Sequence, residues 1–100
     1  FILGLGAGWH EGEHRPFGIP MPPMPERFDR FESAVHVLRA LWSPAAATPP
    51  GVTRPDPFYP LAEATNEPPT LTPGGPPICA CADAARSSTV AVTPISWRKR

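Results

Sequence analysis

Several features are scarce in this sequence, and each scarcity closes off a class of function. Long apolar runs are missing. None nears the roughly 18–20 residues that cross a bilayer, so no membrane partner is expected. Charge imbalance is missing too. Nine basic residues face nine acidic ones, and such a chain carries no electrostatic footprint for nucleic acid. The one basic cluster, Arg98-Lys99-Arg100, is too short to carry binding by itself. Cysteine is limited to Cys79 and Cys81 in a Cys-x-Cys pair. A zinc site would need a second Cys or His pair beside them, so they read as incidental thiols. No secretory leader is expected, because residues 1–5 lack a basic flank and their apolar part is too short, which points to a cytoplasmic protein.

Proline and glycine are plentiful instead, at 17 and 8 of 100 residues, which borders on low-complexity composition. A chain of this length buries only about 60–65% of its unfolded surface and has little apolar area to spare. Eleven of the prolines fall between Pro44 and Pro77. Regular structure is not expected there, apart from a short extended piece near Phe58-Tyr59-Pro60-Leu61, and so long a connection is unusual inside a compact domain. Pro76-Pro77-Ile78 leads into another strand. Small residues follow from Cys79 to Ser88, and residues 89–92 have weak strand character.

The first forty-odd residues organise the rest. Phe1-Ile2-Leu3-Gly4-Leu5-Gly6 has an aromatic, β-branched start and a glycine-rich end, which fits a strand buried on both faces, as in a parallel sheet. The chain opens on Phe within this run, so it reads as a piece of something longer. Prolines at 16, 20, 22 and 23 hold the next stretch extended or turned. From Glu26 to Trp42 the spacing predicts a helix: Phe28, Phe31, Val35, Leu38 and Trp42 recur at threes and fours, widened by Ala34, Val37 and Leu41. Pro25 stands near its first position, Ser43-Pro44 stops it, and its apolar stripe expects a sheet underneath. On the wet side Glu26 with Arg30, and Glu32 with His36, form i,i+4 pairs.

His10-Glu11-Gly12-Glu13-His14 matches the His-Glu-x-x-His pattern of zinc peptidases. That chemistry needs both histidines on one face of a sustained helix, a third ligand, and the glutamate as base. Glycines before and inside the motif and Pro16 just after it argue against such a helix, and the motif reads as a polar loop. Pro22-Pro23-Met24-Pro25 satisfies Pro-x-x-Pro, which keeps a proline-rich interaction segment as an alternative, although such matches are expected by chance in this composition. The spacing Gly4-x-Gly6-x-Gly8 lacks the dinucleotide fingerprint, since Trp9 stands where a third glycine belongs. What remains is an indole, an imidazole and carboxylates directly after a buried strand, where α/β barrels hold cofactors and substrates.

These residues resemble the bacterial luciferase-like superfamily, and most nearly its deazaflavin-dependent oxidoreductases, which use coenzyme F-420. The resemblance runs through Phe1-Ile2-Leu3-Gly4-Leu5-Gly6-Ala7-Gly8-Trp9-His10, Glu13, Phe17-Gly18-Ile19-Pro20, Glu26-Arg27-Phe28-Asp29-Arg30 and Leu41-Trp42. Phe58-Tyr59-Pro60-Leu61, Asn66 and Pro76-Pro77-Ile78 continue it. It implies an α/β fold, a fragment of a (β/α)8 TIM barrel, with residues 1–78 as a partial barrel domain and 79–100 as a divergent tail, for which a reading-frame slip near Ile78 and natural divergence are the two explanations. It further implies hydride transfer to or from a small-molecule substrate, with coenzyme F-420, or alternatively FMN, as cofactor, in a homo-oligomeric parent. Gly6, Ala7, Gly8, Trp9 and His10 would bind the cofactor, His10 would be the catalytic candidate, and Glu13 would tie down the loop. Trp9 stands where the sugar-phosphate dehydrogenase branch has a catalytic carboxylate, which argues against that branch. Pro55 and Pro57 fall where relatives run a short β-hairpin, so that ornament is expected to be degraded. The isolated chain is expected to be inactive and poorly folded, with partial helix.

Overall fold

The computed structural model describes residues 1–8 and 10–81. Strand β1, Leu3–Gly6, alternates half-buried leucines with exposed glycines, the period-two signature of a strand with unequal faces. It pairs in parallel with β4, Ile78–Cys81, in the register Leu3 to Ile78 through Gly6 to Cys81. Leu3 N–H also donates to the Pro77 carbonyl at 2.9 Å. Parallel neighbours need a long crossover, and everything between Ala7 and Pro77 serves as one. The result is a β–α–β unit, as expected for an α/β chain, and the second strand foreseen after Pro77 is present. Among the described residues the sheets are this parallel pair and one separate antiparallel pair, so no closed barrel is formed.

After β1 comes a single turn of helix, α1, Glu11–His14, continued by a 3-10 turn over Arg15–Phe17. The stretch expected to be a loop is therefore helical, though only for as long as Pro16 and Gly18 allow. Gly18 ends it at φ 65°, in the left-handed region that glycine adopts without steric cost.

Helix α2 spans Met24–Leu41, beginning two residues before the expected Glu26. The prolines explain the early start: Pro23 is the N-cap residue and Pro25 lies in the first turn, where a missing N–H leaves no hydrogen bond broken. Trp42 closes the helix, and Ser43 Oγ donates to the Ala40 carbonyl at 2.7 Å. Both expected i,i+4 pairs form, Arg30 to Glu26 at 2.7 Å and His36 to Glu32 at 3.8 Å.

The apolar stripe of α2 is only partly covered. Phe31 and Val35 are buried, whereas Phe28, Ala34, Val37, Leu38, Leu41 and Trp42 stay half-buried. A sheet of two short strands is too small to cover the whole stripe. Ser33 is buried as well, on a side of the helix that periodicity leaves outside the stripe, because the crossover folds back over it.

That crossover is more regular than its prolines imply. A 3-10 turn over Pro44–Ala47 is followed by β2, Val52–Arg54, and β3, Leu61–Ala64, which pair antiparallel with a bulge. The hairpin expected to be degraded is thus formed. Pro55, Pro57 and Pro60 fall between its strands, where no ladder bond is lost. Arg54 Nη1 donates to Asp56 Oδ2 at 2.7 Å, and the N–H groups of Phe58 and Tyr59 donate to Asp56 Oδ1 at 3.0 and 2.9 Å. Arg30 of α2 stacks its guanidinium over the Phe58 ring, 4.7 Å from the centroid, and so clips the hairpin loop onto the helix. Farther on, Asn66 N–H donates to the Ala46 carbonyl at 2.8 Å. The weak strand expected at 89–92, most of the divergent tail and the basic cluster at 98–100 lie outside the described residues; β4 itself runs across the boundary expected at residue 78.

Candidate functional site

The end of β1 has two unlike sides. Leu3, Leu5 and Ala7 are half-buried, while Gly4, Gly6 and Gly8 are exposed. A Cβ built on Gly4 would meet nothing within 4 Å. One edge of the strand end is thus a strip of bare backbone, open to a flat molecule that a side chain would hold off. Gly8 adds a conformational demand, with φ at 79°, a region costly to any residue with a Cβ.

A cleft of about 210 Å³ opens between the strand end and the first half of α2. Leu5, Gly6 and Ala7 line it from the strand, Arg27, Phe31 and Ala34 from the helix. His14, Arg30 and Tyr59 line it as well. The cleft combines apolar lining with the guanidiniums of Arg27 and Arg30 and the His14 imidazole.

Of the residues expected at the site, Gly6 and Ala7 line the cleft directly. Gly8 is held at its carbonyl, which accepts a hydrogen bond from Arg27 Nη1 at 2.8 Å. Trp9 lies outside the described residues. His10 stands apart from the cleft: it is exposed and serves as N-cap residue of α1, in extended conformation at φ −101°, ψ 95°. Its carbonyl accepts from Glu13 N–H at 3.1 Å and from His14 Nδ1 at 2.9 Å. A carbonyl only accepts, so His14 carries its proton on Nδ1. The His10 ring covers Gly12, where an added Cβ would come within 2.8 Å of Cε1.

Glu13, which the resemblance implies ties down the loop, does so here through its backbone N–H. Among the described residues its exposed carboxylate makes no hydrogen bond, and its backbone N–H together with the His14 ring holds the turn. The described residues include no group of three or more His, Cys, Asp or Glu side chains that could hold a metal ion. The zinc-peptidase pattern therefore finds neither a sustained helix nor a third ligand there.

Two residues of the site were not singled out from the sequence. His14 was set aside with the zinc pattern, yet its ring fills the space beside Gly8, 3.7 Å from where a Cβ would stand. Arg27 carried a readable signal. It precedes Phe31 by four residues and Ala34 by seven, which puts a cation on the apolar stripe of α2 in its first turn.

Comparison with known proteins adds family context to this geometry. The model of a family described as luciferase-like monooxygenase matches residues 1–93, past the boundary expected at 78. Among curated proteins, an F420-dependent glucose-6-phosphate dehydrogenase of Kribbella flavida is 38% identical over 64 residues. That stretch is 64% of this chain and 18% of the relative, so the chain spans less than a fifth of that protein's length. No solved structure matches the chain significantly.

Proposed function

The chain belongs to the luciferase-like monooxygenase family, and on that premise we propose that it forms the cofactor-facing strand and flanking helix of a flavin- or deazaflavin-dependent oxidoreductase. The proposed parent fold is a (β/α)8 barrel, in which β1, α2 and β4 are one repeat with the hairpin β2–β3 as its insertion. The proposed reaction is hydride transfer to or from a small organic substrate, and the isolated segment does not turn over by itself. The bound cofactor supplies the redox chemistry, and the protein supplies binding and orientation.

The observation that carries this reading is the bare edge of β1. Gly4 and Gly6 are exposed, and open space lies where a Gly4 side chain would be, whereas the His14 ring stands beside Gly8. A planar tricyclic ring can approach such a backbone to van der Waals distance, so the residues present fit the edge of a flavin or deazaflavin. Trp9 and His10 follow immediately in the sequence and are proposed to contact that ring, with His10 as the proton-transferring candidate. Coenzyme F-420 is favoured over FMN because the curated relative is named as F420-dependent. A sugar-phosphate substrate is not favoured, since Trp9 stands where the resemblance puts that branch's catalytic carboxylate.

A graft tests this. The matched 64 residues of the Kribbella flavida enzyme are exchanged for those of this chain, and coenzyme F-420 binding is followed by its fluorescence, with FMN as competitor. The graft is expected to bind F-420 while losing turnover of glucose 6-phosphate. Trp9→Ala and His10→Ala are each expected to weaken binding about tenfold, the scale of one buried aromatic or polar contact. A folded graft that binds neither cofactor overturns the proposal.

A further inference from the structure

We propose that Arg27 is the positioning residue of the β1 end, its guanidinium fixing the turn at Gly8 from which Trp9 and His10 follow; the cofactor-facing part of this role rests on the reading above. Arg27 Nη1 donates to the Gly8 carbonyl at 2.8 Å across 19 residues of sequence. The neighbouring arginine is committed elsewhere, to Glu26 and the Phe58 ring. Among the described residues Arg27 has no carboxylate partner, and its Nε is buried with no acceptor. Its guanidinium is therefore placed by the Gly8 carbonyl, not by an ion pair.

The geometry makes this one bond consequential. Gly8 sits at φ 79°, and glycine reaches many other conformations at no steric cost, so its identity permits the turn without selecting it. Selection must come from contacts. The turn is held on both sides of Trp9: at the Gly8 carbonyl by Arg27, and at the His10 carbonyl by His14 and the Glu13 N–H. The His14 clamp is local, within four residues, and travels with the loop. The bond from Arg27 ties the turn to α2, a helix of 18 residues. A planar guanidinium loses less freedom per bond than an ammonium on a flexible stem, which suits it to this task.

The test compares Arg27→Met and Arg27→Lys with the parent in the full 100-residue chain by isotope-edited NMR, with F-420 affinity measured in the graft described above. In Arg27→Met the Gly8 carbonyl carbon is expected to lose the shift of a charge-assisted bond. Amide exchange at Glu13, whose N–H donates to the His10 carbonyl, is expected to quicken about tenfold as the turn opens locally, with the α2 amides unchanged. Arg27→Lys restores the signal in part, as a single donor of shorter reach would. In the graft, Arg27→Met is expected to weaken F-420 binding about tenfold with its helical content unaltered, a loss of orientation and not of fold. An unmoved Gly8 carbonyl and unchanged exchange in Arg27→Met overturn the proposal whatever the cofactor does. A moved carbonyl with unaltered F-420 affinity overturns the cofactor-positioning role. A parent graft that fails to bind F-420 counts against the functional reading alone, and the NMR comparison then decides the brace.

Discussion

Asp56 Oδ2 stands 2.7 Å from Nη1 of Arg54, with only 3% of the Asp56 side chain exposed. Around this pair the insertion between α2 and β4 acquires its shape. The backbone N–H of Tyr59 first, then that of Phe58 and the side chains of Arg54 and Ser33, favour the ionised carboxylate and outweigh its burial, lowering the Asp56 pKa from 3.8 to about 2. A lone carboxylate in a proline-rich loop thus organises the turn that packs against Ser33 and Arg30 of the helix.

The pH dependence follows with a definite sign. The folded pKa of Asp56 lies below its unfolded value, so its contribution to stability is complete above pH 3.8 and is lost as the pH falls toward about 2. Within that window the Phe58 and Tyr59 amide resonances are expected to lose their hydrogen-bonded shifts. Asp56→Asn should abolish this transition and leave those of the other carboxylates. An acid transition of the same midpoint and size in the variant would show that another group governs it.

What the sequence disclosed follows from the range of the forces involved. Helix α2 and strand β1 were legible because their signals are local: a stripe at three and four, a proline that tolerates the first turn, an apolar run closing on glycines. The i,i+4 pairs were legible for the same reason. The hairpin, expected to be degraded, forms with Pro55 and Pro57 between Arg54 and Leu61, where the ladder is interrupted in any case, and not within a strand. Its actual cause, one Asp56 oxygen accepting two backbone N–H groups, is an Asx-type turn that aspartate offers at short range. Ser33 was illegible in principle, since its burial depends on a segment more than twenty residues away. At the candidate site, Gly6 and Ala7 were named through the family resemblance, while Arg27 and His14 act through contacts to backbone carbonyls that no side-chain pattern announces.

Gly74 and Gly75 separate backbone strain from packing. Both have positive φ, 81° and 78°, but a Cβ at Gly74 meets nothing within 4 Å whereas one at Gly75 comes within 2.5 Å of the Trp42 ring. Gly74→Ala is expected to cost about 1 kcal/mol for the left-handed backbone alone. Gly75→Ala should cost a further 1–3 kcal/mol or so for overpacking, and should displace the Trp42 indole N–H resonance. Equal effects from the two substitutions would mean that Trp42 does not pack over Gly75.

Zinc offers a direct check on the His10 and His14 pattern. The helix carrying it is one turn long, and His10 lies outside it as the N-cap residue in extended conformation. Structural zinc sites take four ligands and catalytic ones three plus water. The purified chain is expected to retain no stoichiometric zinc after dialysis, and added zinc should leave the His10 and His14 ring resonances in place. One equivalent of zinc retained by the parent and lost in His14→Ala would contradict this.

The core makes the sharpest stability prediction, because so little of it is closed. Phe31 is 4% exposed and Val35 3%, and no large side chain among the described residues is more deeply buried. Truncating a buried phenylalanine removes roughly 3–5 kcal/mol, while whole small domains hold only about 5–15 kcal/mol against unfolding. Phe31→Ala should therefore abolish most of the helical ellipticity at 222 nm. Phe17→Ala, at a position 79% exposed, should change it little, as surface substitutions usually stay within about 0.5 kcal/mol. The parent itself is expected to melt over a broad temperature range, since so thin a core gives little cooperativity to its helix. A sharp two-state melt of the parent, surviving Phe31→Ala, would require a second source of stability beyond the contacts of Phe31 and Val35.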